Sequence, residues 1–549
     1  MTADPMDPPS QVPESVDVLV AGSGAAGLTA ALAVAANGAT VLVAERAEKL
    51  GGTTALSGGR VWVPGNHLQA AGDGDDDGPH AGAAYLKGLF SDRYPEMTEA
   101  FLRDAPRMAR FVEQHSPHRF VACPGYPDYF PSRPGATVGG RALDAEPLDT
   151  AGLSPLVQDV LVPPGYLPMT FAEWERLRYP GRYDWRLLDE RRRTGIRTGG
   201  VALVAALLHG AEKAGVRVLA GVRLTGIELT EMTENQPTRA SASLEIQRSG
   251  QETRIAAHSV ILATGGFDWD RELRGRFHPR AQRASGAPPS NTGDGLRIAE
   301  RAGARLDNLS EGWWMPMMAI PGENLGGEQF YRSLIRERGL PRQIMVNAAG
   351  RRFVDEALPY NEIGKALHAQ AGKVHLVFDA AYRDRYPLPG LDREGPVPDW
   401  IAHGASLAGL AARIGVDPDV LENTVSRWNE GCASGADPDF GRGENAYERF
   451  CGDPAIRPNG SIGPIDEAPY FAVEVLAGTI GTKGGPVTDT HGVVQGRGGD
   501  PILGLYAVGN TAAFWTSDGY PGPGATLAVG MTMGYRAGLH AAAGARSVR

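Results

Sequence analysis

A chain of 549 residues, 42% hydrophobic and 21% charged, is too long for one ordinary core and implies two or three domains. Its net charge of −10 argues against nucleic-acid binding, which needs a basic surface. Three widely spaced cysteines, Cys123, Cys432 and Cys451, offer neither a disulfide framework nor a metal ribbon and fit a reducing cytoplasm. Residues 1–15 are rich in Pro, Asp and Ser and predict a disordered tail rather than a signal peptide. No apolar stretch qualifies as a transmembrane helix.

The first organised stretch is Val16–Glu45. The β-branched run Val16–Ala21 predicts a strand. Gly22-Ser23-Gly24-Ala25-Ala26-Gly27 predicts a tight turn, the alanine-rich segment to Ala36 a helix stopped by Gly38, and Thr40–Ala44 a second strand ending on Glu45. Gly22 permits the turn, Gly24 lets a pyrophosphate approach the backbone, and Gly27 lets helix and strand pack closely. The helix N-terminus offers N–H groups and partial positive charge to phosphates. Glu45 follows Gly27 by 18 residues (45 − 27), near the separation of about 20 expected of the acid that binds a ribose hydroxyl. By itself the motif leaves NAD and FAD open.

Beyond Glu45 and Arg46, the loop carrying Gly52, Thr53, Thr54, Ser57, Gly58 and Gly59 can wrap a pyrophosphate or flavin edge with N–H and O–H donors. Asp73, Asp75, Asp77 and Gly78 match half a calcium loop, but its twelfth position is Ala84, where a bidentate Glu is needed, so a solvated acidic turn is expected. Residues Ala83–Glu113 predict helix, and the aromatic, Pro-rich run around Asp128 and Tyr129 predicts a loop. Gly199–Gly215 predicts a helix leading into a strand at Val216–Leu219, Thr233–Arg254 a hairpin, and Ser259–Gly266 a buried strand closing on Thr264 and Gly265.

The composition changes from about Ala284, with a helix start at Asn291–Gly295, a dense cluster Trp313–Met318 and a short strand Gln343–Asn347. That cluster suits pocket wall and ordinary core equally well. The small-residue style returns from Tyr470. The expected class is α/β: a discontinuous Rossmann-like FAD-binding domain over residues 16–284 and 467–549, with an inserted α+β catalytic domain over 285–466. FAD rather than NAD follows from the second, C-terminal part. There a strand ends at Gly509 and Asn510, a polar glycine-rich loop runs from Thr516 to Gly524, and a helix begins at Ala525 and Leu527. A helix N-terminus aimed at the flavin pyrimidine edge stabilises the charge that gathers there on reduction.

Several segments together resemble the flavoproteins related to fumarate reductase and, within them, the bacterial 3-ketosteroid Δ1-dehydrogenases. They are GSGAAG at 22–27, GGTTALSGG at 51–59, PDY at 127–129, RRFVDEALPYNEIG at 351–364, GTKGG at 481–485 and YPGPG at 520–524. The resemblance covers Val16 to about Ala541. It implies noncovalent FAD, a 3-ketosteroid substrate, and a separate electron acceptor such as a quinone. The implied reaction takes a hydride from C1 to flavin N5 and a proton from C2. By the same resemblance, Tyr520 O–H and the Gly524 N–H would hold the C3 carbonyl oxygen. Tyr360 would take the proton, with Tyr129 hydrogen-bonded to it and lowering its pKa. Alternative readings are a 4-dehydrogenase, an enone or enoate reductase, a dicarboxylate enzyme using His278-Pro279-Arg280, and a flavin electron-transfer module. No metal site is expected.

Overall fold

The computed structural model describes residues 12–69, 79–90, 93–177, 180–230, 240–278, 284–386 and 388–547. The acidic turn at 72–78 lies outside these, as do Pro279, Arg280 and the first part of the expected hairpin.

The first sheet grows from β1 (Ser15–Ala21). Its alternation of Val and Leu is buried on both faces, as suits a strand flanked in a parallel sheet. Helix α1 (Ala25–Ala36) follows, then β2 (Val41–Glu45). Helix α2 (Gly199–Lys213) leads into β3 (Arg217–Ala220), and β4 (Val222–Leu229), β5 (Ala240–Ile246) and β6 (Gln251–Leu262) come next. Strand β1 pairs in parallel with β2 and β6, and β2 with β3. The predicted helices and strands of this half stand as expected, the described part of the hairpin region pairs β5 with β6, and Ala83–Glu113 divides into two helices, Pro79–Leu86 and Pro95–His115.

A second sheet is built from β7 (Gly312–Leu325), β8 (Glu328–Ser333), β9 (Gln343–Val346), β10 (Val374–Phe378) and β11 (Tyr470–Thr482), in the order β8-β7-β11-β10-β9. Helix α3 (Tyr360–His368) packs on β7. Strand β11 pairs with both β7 and β10 at the centre of this sheet, although its small-residue composition places it with the FAD-binding part. We therefore propose that the inserted domain runs to Thr482 rather than to residue 466.

Strands β12 (Val493–Gln495) and β13 (Pro501–Ala507) return to the first sheet, where β13 lies parallel to β6. The chain closes with α4 (Ala525–Arg546) against α1. Contact between these helices is backbone-close: a Cβ at Gly534 or Gly538 would lie 2.3 or 2.4 Å from the carbonyl oxygens of Ala26 or Ala30. The spacing of small residues in α4 thus brings the C-terminal segment onto the glycine turn that opens the fold. Among the described residues no helix is long and apolar enough to cross a membrane.

Candidate active site

One cavity runs from the glycine turn after β1 to the loop before α4, between the two sheets. Its first half is a nucleotide cradle. Gly22 has φ 110°, and a Cβ there would sit 2.2 Å from the Ala263 carbonyl oxygen at the end of β6. The turn therefore fits only glycine. At Gly24 the neighbouring protein atom, Thr54 Oγ1, is 3.6 Å away from where a Cβ would stand. Nothing in the chain forbids a side chain there, so the space it leaves faces the cavity. Gly24 also supplies no capping side chain to α1, whose N-terminus is left as an anion site. Glu45 is fixed: Oε2 accepts from Ser23 N at 2.9 Å and Ser23 Oγ at 2.7 Å, and Oε1 from Ala47 N at 2.9 Å. These features fit a dinucleotide: glycine backbone for the pyrophosphate, and an oriented acid for ribose hydroxyls.

Ser23, Ala25, Ala26, Arg46, Gly52, Thr53, Thr54, Ser57, Gly58 and Gly59 line the same cavity. So do Thr264, Gly265, Gly509, Asn510 and Leu527. Two expected positions do not. Gly27 is turned onto the protein, where a Cβ would lie 2.1 Å from the Gly22 carbonyl oxygen, and Ala525 is buried beneath the start of α4. Sequence reasoning also passed over Asn291, whose Nδ2 donates to Thr53 Oγ1 at 3.1 Å, and Asp294, which holds Arg223 at 2.7 Å and Arg46 at 3.3 Å.

Tyr129, Tyr360, Tyr520 and Gly524 meet at the other half. Tyr360 is the first residue of α3, while Tyr520 stands on the loop that caps α4. The Tyr360 hydroxyl donates to the Tyr520 hydroxyl at 2.6 Å, and Thr526 Oγ1 donates to Tyr520 at 3.3 Å. Tyr129 crosses both rings edge-on at 5.5 and 5.4 Å, but its own hydroxyl has no hydrogen-bond partner. Tyr129 therefore stands against Tyr360 as expected, and the structure adds a Tyr360–Tyr520 bond. The expected drop in the Tyr360 pKa is reversed. Burial raises Tyr360 well above the ordinary phenol value, and the neighbouring phenols raise it further. Burial raises Tyr520 as well, while Thr526, Tyr360, the Gly524 backbone and the Arg60 charge pull it back.

The loop itself is held from three sides. Tyr129 N and Tyr85 Oη donate to the Pro521 carbonyl at 3.1 and 2.5 Å. Lys483 Nζ donates to the carbonyls of Ser517 and Gly519 at 2.6 and 2.8 Å. This lysine is fully buried, stands 3.9 Å over the Trp313 ring, and is pushed down to about 7 by desolvation, against the pull of Glu311. Within the Trp313–Met318 cluster only Met315 reaches the cavity; Trp313, Met317 and Met318 are core, and Trp313 packs 4.8 Å from the Tyr520 ring. His278 packs at 5.0 Å on Trp314, away from the tyrosines' cavity. Among the described residues no group of His, Cys, Asp and Glu is placed to hold a metal.

A dinucleotide cradle opening directly onto buried phenols defines a flavoprotein oxidoreductase. The FAD binding domain family matches residues 17–527. A 4-oxocyclohexanecarboxylate 2-dehydrogenase from Sinomonas cyclohexanicum is 38% identical, over 95% of this chain and 92% of that one. A 3-oxosteroid 1-dehydrogenase from Mycobacterium tuberculosis is 36% identical, over 96% and 98%. Among solved structures, a 3-ketosteroid Δ1-dehydrogenase from Sterolibacterium denitrificans in complex with 1,4-androstadiene-3,17-dione superposes with a TM-score of 0.88 at 33% identity. That match covers 97% of this chain and 100% of that one. The chain belongs to this family of FAD-dependent dehydrogenases, and its cofactor is FAD.

Proposed function

We propose that the chain desaturates the carbon–carbon bond next to a ring ketone, with C1–C2 of a 3-ketosteroid as the first reading of the bond attacked. The observation that carries this is the buried Tyr360–Tyr520 pair beside the Gly524 amide, on the wall of the cofactor cavity. The ketone oxygen is held between Tyr520 O–H and Gly524 N–H, which stabilise it as it becomes enolate-like; one such donor is worth roughly 2.7–4 kcal/mol. Tyr360, in its phenolate form, would receive the α-proton. Bound FAD would supply the hydride acceptor for the β-carbon, so that one C=C bond would form as two C–H bonds break. Gly24 and Glu45 would anchor the nucleotide end, and the buried rings of Tyr129, Tyr360 and Tyr520 line the other. A neutral ketone agrees with three tyrosines where a dicarboxylate enzyme would need a cationic clamp.

A second reading keeps the chemistry and changes the ring. The named substrate of the Sinomonas relative is a cyclohexanone carboxylate, and a buried arginine on the cavity wall favours such a substrate. The test is anaerobic mixing of the yellow protein with ring ketones while flavin absorbance is followed, with the products identified. Bleaching together with an enone or dienone product supports the proposal. No bleaching with any ring ketone overturns it.

A further inference from the structure

Arg60 follows the glycine loop directly and lines the cavity with Tyr126, Tyr129, Tyr520 and Gly524, yet it is only 5% exposed. Its guanidinium lies 3.0 Å over the Phe171 ring and 4.3 Å over Tyr126. Neither Nη1 nor Nη2 has a hydrogen-bond partner. Two carboxylates neighbour it without giving Nη1 or Nη2 a hydrogen bond, although the Arg60 charge stabilises Asp144. Glu175 pairs with Arg336 and forms a long ion pair with Arg60 at 3.8 Å, too far for a hydrogen bond. Asp144 accepts from Ala145 N and Ala172 N, both at 2.9 Å or less. The cavity's other arginines are paired: Arg332 with Glu323 at 2.7 Å, and Arg46 and Arg223 with Asp294.

A buried guanidinium with both end nitrogens unsatisfied is unfavourable unless something else supplies the acceptor. A neutral steroid A ring has none besides its ketone, which Tyr520 and Gly524 already serve in the proposed reading. A carboxylate matches the planar fork of an arginine, and the pair is strongest away from water. The stacking on Phe171 and Tyr126 fixes the fork's plane. We propose that Arg60 is the anion anchor of the substrate site and that the ring ketone taken here carries a carboxylate on its ring. This rests on the ring-ketone reading and names its substrate class. Dehydrogenation leaves that carboxylate unchanged, and a single turnover needs no acceptor besides FAD.

The experiment compares three ketones in anaerobic flavin reduction: 4-oxocyclohexanecarboxylate, its methyl ester, and 4-androstene-3,17-dione. The expected preference for the acid over the ester is about 100-fold in kcat/KM, the worth of a charge-assisted bond. Arg60→Leu should collapse that ratio to near one, and Arg60→Lys should keep part of it. Cyclohexanecarboxylate, which cannot react, should perturb the flavin spectrum of the wild type but not of Arg60→Leu. Flavin content per chain establishes that the variants fold. Acid and ester reacting alike in the wild type, or the steroid reacting fastest, overturns the anion anchor while leaving ring-ketone dehydrogenation standing. An acid preference that survives Arg60→Leu overturns it as well. Failure of all three ketones to reduce the flavin overturns both.

Discussion

The hydroxyls of Tyr360 and Tyr520 are 2.6 Å apart although 160 residues separate them in the chain. One is presented by a helix of the inserted domain, the other by the loop that caps the last helix of the nucleotide domain. The pair therefore forms only when α3 and the loop before α4 are brought together, on the wall of the cofactor cavity.

In the proposed reaction Tyr520→Phe removes a donor to the ketone and is expected to lower flavin reduction by about 10²–10³-fold. On the same reading Tyr360→Phe removes the proton acceptor, with an expected loss of about 10²–10⁴-fold. Both should retain FAD, since neither side chain belongs to the nucleotide cradle. Burial holds Tyr360 well above the phenol value, so only a small phenolate fraction exists at neutral pH. Stopped-flow reduction should then speed up about tenfold per pH unit through the alkaline range. A plateau near pH 7 would assign the base elsewhere.

Lys483 ties two carbonyls of the Tyr520 loop from a fully buried position. Burial pushes it down to about 7 from the ordinary lysine value of 10.5. Between those two pH values the unfolded chain binds more protons than the folded one, so this group makes stability rise with pH there. Below about pH 7 both states are protonated and the contribution is flat. The melting temperature of the wild type, relative to Lys483→Met, should accordingly increase from pH 7 to pH 9. An unchanged difference across that range would show that the lysine is not buried as described.

Gly524 adopts φ 95°, and a Cβ there would stand 2.5 Å from the Arg60 carbonyl oxygen. Gly38 has a similar φ of 78° but nothing within 4 Å of its missing Cβ. Gly38→Ala should lose about 1–2 kcal/mol from left-handed strain alone. Gly524→Ala adds a clash between backbones and should lose more than about 3 kcal/mol, together with turnover. Urea unfolding of the two variants side by side checks this. Equal losses would mean that the Gly524 loop shifts to make room.

The nucleotide half was legible because its signals are local. The turn, helix and acid of Val16–Glu45 each follow from adjacent residues, and Gly24 and Glu45 stand where their spacing places them. The tyrosines were legible only through resemblance, since nothing near Tyr129 or Tyr360 in sequence marks it as more than a core aromatic. The Tyr360–Tyr520 bond was not legible at all, because it joins segments 160 residues apart. Strand β11 is a related case: its glycines and threonines resemble the FAD-binding part, while it pairs with β7 and β10. Arg60 and Lys483 each close or interrupt a glycine loop, and a lone cation in such a loop was the signal available. Only burial shows that they face inward.

Tyr129 offers a case in which stability and activity should part. Its hydroxyl is buried, 1% exposed at the residue level, and has no hydrogen-bond partner, a condition that costs about 1–3 kcal/mol. Tyr129→Phe removes the unsatisfied group while keeping the ring that crosses Tyr360 and Tyr520. Its melting temperature should match or exceed that of the wild type. In the proposed reaction, that same hydroxyl is free to donate to Tyr360 once Tyr360 becomes a phenolate, so its loss should slow flavin reduction by about tenfold. Thermal unfolding and stopped-flow reduction on one preparation decide the matter. A lower melting temperature would mean that the hydroxyl is satisfied in the folded protein, and unchanged reduction would remove Tyr129 from the proton path.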